Sequence, residues 1–171
     1  MTVEVPVLPT NEAIPLSPVA FILWSRLLHG YIPTAALQLV WDPNVTTSLP
    51  CRLCKQYIEI SFHLFVSCPL KLNFWFSIFE RYSLPDKFLT ADEIWSVLAS
   101  FVPVNEQTID DTDVLCFFGT GIATIYKYHW LCVLDDTPWY TTAVVNSFEL
   151  EHSGFLSSLP FERKLSSTID T

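Results

Sequence analysis

Glycine is scarce: the 171-residue chain has four, against twelve prolines. Phosphate loops and dinucleotide-binding turns are built on clustered glycines, so a Rossmann-type or P-loop protein is excluded. Charge is scarce as well. Only 16% of residues are charged, where soluble proteins average roughly 25%. A long clean apolar run is missing too. Val114 to Ile125 comes nearest, but Asp113 precedes it and Lys127 and His129 follow. That leaves about a dozen residues where ~20 are needed to cross a bilayer. A buried helix is expected there, and no membrane association. No secretory leader is read, since the first residues lack a basic segment and Pro6, Pro9 and Pro15 interrupt them. The sequon Asn44-Val45-Thr46 is therefore read as incidental.

What is present is apolar material. Half the residues are hydrophobic and 15% aromatic, which excludes disorder as a description of the whole. Prolines divide this material into helices, and a mostly α fold follows. Ser17-Pro18 starts a helix through Phe21, Trp24 and Leu28 that stops near Gly30. A second begins at Pro33-Thr34, carries Leu37 and Trp41, and ends at Asp42-Pro43. A third follows Cys68-Pro69 and breaks at Ser83 to Asp86. Thr90 to Glu93 has the pattern of a capping box ahead of Ile94, Trp95 and Leu98. The most hydrophobic helix runs from Asp113 to about Leu134, and a last one lies near 140–157. The expected organisation is an extended lead-in at 1–17, a cysteine-bearing region at 18–83, an acidic and hydrophobic helical region at 84–159, and a loose tail at 160–171.

Net charge is −9, unevenly placed. Residues 19–83 carry Arg26, Arg52, Lys55, Lys71 and Arg81 against Asp42, Glu59 and Glu80, a net +2. Residues 84–171 carry four basic and thirteen acidic side chains, a net −9. Only the front half has any attraction for a polyanion.

Five cysteines, an odd number with two in a C-x-x-C, point to a reducing compartment (nucleus or cytoplasm) and to metal rather than disulfides. Cys51 and Cys54 are followed by His63 and Cys68, spaced C-x2-C-x8-H-x4-C. Three thiolates and one imidazole satisfy the tetrahedral preference of zinc and leave no open position, so a Zn2+ site here is structural.

These residues resemble the zinc-binding region that follows the polymerase in reverse transcriptases of non-LTR retrotransposons. The resemblance covers about residues 20–80. It rests on Trp24, on His29-Gly30-Tyr31-Ile32-Pro33-Thr34, on Trp41, on Cys51 and Cys54, on Glu59 four residues before the histidine, on His63-Leu64-Phe65, on Cys68-Pro69 and on Trp75. The family usually has glycine after the second cysteine, where this chain has Lys55. The resemblance implies a noncatalytic module that holds RNA or DNA beside a polymerase. Arg52 and Lys55 on the knuckle and Lys71 and Arg81 on the next helix are the candidate phosphate contacts. Tyr57 and Phe62 are candidate stacking rings. A net +2 makes that binding weak.

Other constellations are read as structural. Asp135-Asp136 lacks the aromatic residue of a polymerase palm and is taken as a helix-ending turn. Pro85-Asp86 starts no nuclease motif. Cys116 lies almost four turns from His129 and Cys132, so a second metal site is not expected. Gly119-Thr120-Gly121 is read as helix packing, and His152 has no evident partner. No catalytic motif is found. The alternatives to nucleic-acid binding are a zinc-stapled module docking on a reverse transcriptase or another protein through an apolar face, and a decayed retroelement fragment.

Overall fold

A computed structural model of the chain describes residues 16–41, 50–84, 88, 90–100 and 112–158. Most of the lead-in, the sequon at Asn44, Pro85-Asp86, the loop at 103–111 and the tail lie outside the described residues, as do the side chains of Leu39 and Trp41. The fold is mostly α, as the proline-divided apolar segments imply. The described elements are α1 (Pro18–Leu28), α2 (Ala35–Trp41), a π-turn (His63–Ser67), α3 (Pro69–Arg81), α4 (Ala91–Ser100), α5 (Thr112–Leu134) and α6 (Thr141–Ser158). Among the described residues there is no strand, only an isolated antiparallel bridge between Pro50 and Ile58.

The helix ends follow from their residues. Ser17 Oγ accepts a hydrogen bond from Ala20 N at 3.2 Å, with Pro18 at the first helical position. Gly30 ends that segment at φ 71°, a conformation cheap only for glycine. Thr34 Oγ1 accepts from Leu37 N at 3.1 Å at the start of α2. Thr90 and Glu93 form the reciprocal capping box: Thr90 N donates to Glu93 Oε2 at 2.9 Å, and Glu93 N to Thr90 Oγ1 at 3.2 Å. Asp135-Asp136 follows the end of α5, exposed, with Asp136 at φ 51°.

Helix α5 organises the core, packing on α1 and α6, while α3 packs on α6 and α4 on α1. No described helix is long and apolar enough to cross a membrane. Trp75, Phe79, Phe88, Phe117, Phe118 and Phe148 interlock with ring centroids 5.0–6.1 Å apart. Fully burying one such side chain contributes about 1.5–3 kcal/mol. His152 sits among these rings, 5.3 Å from Phe148 and 5.6 Å from both Tyr82 and Phe117. The two glycines of α5 are packing sites. A Cβ on Gly119 would lie 2.5 Å from Leu16 Cδ2, and one on Gly121 would lie 2.4 Å from the Trp75 ring. The buried residues of 18–83 and of 84–159 form one continuous core, so the change of charge near residue 83 is not a break in packing.

Candidate metal centre

The four residues of the C-x2-C-x8-H-x4-C pattern converge. Their ligand atoms all lie within 4.8 Å of one another. Two local devices bring this about. From Cys51 the chain doubles back: Lys55 N donates to Cys51 O at 2.9 Å, and Cys51 N donates to Tyr57 O at 2.6 Å. Closing that turn puts Lys55 at φ 60°, the left-handed conformation that glycine adopts without strain. The second device is the π-turn, in which Cys68 N donates to His63 O at 3.3 Å. An i to i+5 bond seats residues five apart together, which is the spacing of His63 and Cys68.

Cys51 and Cys68 are wholly buried, His63 nearly so and Cys54 partly exposed. His63 Nε2 faces the sulfurs, 3.3 Å from Cys54 Sγ, and its Nδ1 lies 3.3 Å from Ser67 Oγ. One ring nitrogen toward the ligand set and the other held from behind is the usual arrangement of a metal-binding imidazole. The Cys51 thiol is pushed up to about 11 by its hydrogen bond to Cys68 and then by burial, and the same bond pulls the Cys68 thiol down. The opposite directions follow from the two buried sulfurs lying close enough to hydrogen-bond. The soft donor set, its closeness and its burial fit a divalent cation such as zinc, so the arrangement can serve as a structural metal site.

Of the four candidate phosphate contacts, Arg52 and Lys55 are exposed on the knuckle. Arg81 is partly exposed but lies 2.5 Å from Glu149 of α6, which neutralises it locally. Lys71 is a correction: its side chain is wholly buried, with Nζ 3.2 Å from His129 Nδ1, so it cannot meet a phosphate at the surface. The periodicity of α3 carried this signal, because Lys71 shares a helix face with the buried Phe74, Trp75 and Ile78. Phe62 is corrected likewise: half-buried, with its ring 5.4 Å from Trp95 in an edge contact, it is not a free stacking platform. Tyr57 is 60% exposed and its ring centroid is 5.6 Å from that of His63.

Cys116, His129 and Cys132 form no ligand cluster, and among the described residues no other group of three or more potential ligands is close enough to hold an ion. His129 instead joins an unforeseen buried group. Its Nε2 lies 3.6 Å from Glu59 Oε2, and neither of these atoms has a hydrogen-bond partner. Burial, then Lys71, then Arg52 push the His129 imidazole down to about 3, so it is neutral at ordinary pH. The comparisons with known proteins return nothing: no family model, no curated protein and no solved structure matches the chain.

Proposed function

We propose that the chain is a zinc-stapled helical module of the reverse-transcriptase zinc-binding type, whose knuckle binds single-stranded nucleic acid without catalysis of its own. The observation that carries the reading is the convergence of Cys51, Cys54, His63 and Cys68 beneath a turn that presents Arg52, Lys55 and Tyr57 to solvent. The ion fixes the turn, two cations meet phosphates, and an exposed ring offers a stacking face. With Lys71 buried and Arg81 paired, two of the four candidate contacts remain, Arg52 and Lys55, so binding is weak. Two phosphate contacts to a single strand give a log–log salt slope of about −1.4.

The test is zinc per chain on purified protein, followed by titration of the same sample with single-stranded RNA at two salt concentrations. One zinc with salt-sensitive binding supports the reading. Replacing Arg52 and Lys55 with Gln should then leave zinc in place while weakening binding and flattening the salt slope. A slope unmoved by that double variant places the contacts elsewhere.

A second reading has its own observation. Helix α1 exposes Val19, Phe21 and Ile22, each more than half accessible, beside Tyr31 on the following turn. An apolar face of this kind suits docking on another protein such as a polymerase. One zinc per chain with no RNA binding at low salt would favour that role.

A further inference from the structure

Lys71 is one of the largest wholly buried side chains of the protein. A lysine is almost never buried completely unless its charge is met. Helix α3 holds it one turn after Cys68, with Lys71 N donating to Cys68 O at 2.9 Å. Its Nζ donates to His129 Nδ1 at 3.2 Å. That bond leaves the imidazole proton on Nε2, facing Glu59 Oε2 at 3.6 Å. Glu59 belongs to the knuckle, and its carbonyl accepts from Ala36 N of α2 at 3.2 Å. The buried group of Lys71, His129 and Glu59 therefore brings α3 and α5 together with the segment that carries the cysteines.

Three thiolates and a neutral imidazole around a divalent cation leave one net negative charge in a buried place. We infer that Lys71 is the counter-ion of the metal centre, positioned by His129 and Glu59 so that its ammonium offsets that charge. This rests on the metal-binding reading above. The charges around Lys71 agree with it: burial pulls the Lys71 ammonium down, and Cys68, Cys51, Glu59 and Cys54, in that order, hold it up.

A counter-ion leaves a mark that a space-filling residue does not. Removing a positive charge beside thiolates raises the energy of the sulfur electrons. In the cobalt-loaded full chain, Lys71→Met should therefore move the thiolate-to-cobalt charge-transfer bands to lower energy. The ligand-field bands, which report geometry, should stay in place. Chelator competition should show zinc affinity falling about 10-fold or more, the usual loss when a residue behind the ligands is replaced. Unshifted charge-transfer bands and unchanged affinity in a folded Lys71→Met protein would overturn the inference while leaving the metal site intact. If Lys71→Met does not fold, Lys71→Gln carries the same test with a neutral polar side chain that can still meet His129 Nδ1: the bands move to lower energy, and an unmoved band overturns the assignment. Failure of the unaltered chain to take up cobalt overturns the metal reading itself and this inference with it.

Discussion

Between Cys51 and Cys68 the chain buries two thiols, an imidazole and a carboxylate while leaving Arg52, Lys55, Gln56, Tyr57, Ile58 and Ile60 exposed. Between Val114 and Ile125 nearly every side chain is buried, and the contacts are aromatic and aliphatic. Apart from Leu64, Phe65 and Val66 of the π-turn, the first stretch buries no large apolar side chain that could offset the entropy of fixing its turns. The second has enough. On the proposed reading, the knuckle depends on a metal it must recruit, whereas the bundle depends on residues it already carries. The largest predicted effect breaks the molecule along this line. Replacing Cys54 with Ser and His63 with Ala together should abolish stoichiometric zinc, lower helicity and cost the knuckle its amide protection. Structural zinc supplies ~10–16 kcal/mol of binding free energy in small modules. Cys132→Ala, on α5, should leave one zinc per chain. Mass spectrometry under native conditions reads both, and unchanged zinc in the double variant would remove the site assignment.

The same division governs what was legible in the sequence. The knuckle was spelled by local spacing, because C-x2-C and H-x4-C reflect one tight turn and one π-turn, each closed by a backbone bond between near neighbours. The helices were legible where a cap or a proline marked them, as at Ser17, Thr34 and Thr90. Lys71 was misplaced because its charge was read before its helical register. The register puts it inward, and its partners His129 and Glu59 lie 58 and 12 residues away. No spacing rule spans such a gap. Phe62 failed for a related reason: its cover, Trp95, comes from α4, an element with no sequence signal tying it to the knuckle.

A smaller effect sharpens the comparison inside the bundle, where glycines answer to packing rather than to turns. Gly121→Ala sets a Cβ 2.4 Å from the Trp75 ring, a large, wholly buried side chain. Overpacking of this kind costs about 1–3 kcal/mol. Gly154 of α6 has nothing within 4 Å of the equivalent position. There alanine should stabilise the helix by about 0.5–1 kcal/mol, since glycine is the poorer helix former. Urea midpoints with unchanged m-values measure the pair. Two changes of equal sign would mean that α5 does not meet Trp75 as described.

The smallest effect returns to the knuckle. Lys55 holds φ 60° where glycine would carry no Cβ penalty, and a left-handed residue of this type is strained by about 1–2 kcal/mol. Lys55→Gly should therefore raise the stability of the zinc-loaded protein by about 1 kcal/mol or less, because glycine's greater freedom in the unfolded chain takes back part of the gain. Removing the cation should at the same time weaken RNA binding and bring the salt slope nearer to that of a single phosphate contact. The two readouts move in opposite directions only if the turn's strain and the side chain's charge are separate contributions. A stability loss in Lys55→Gly would mean that the lysine stem packs to an extent that outweighs its strained backbone. The knuckle would then be held partly by side-chain burial, as the bundle is, and its contrast with α5 would narrow.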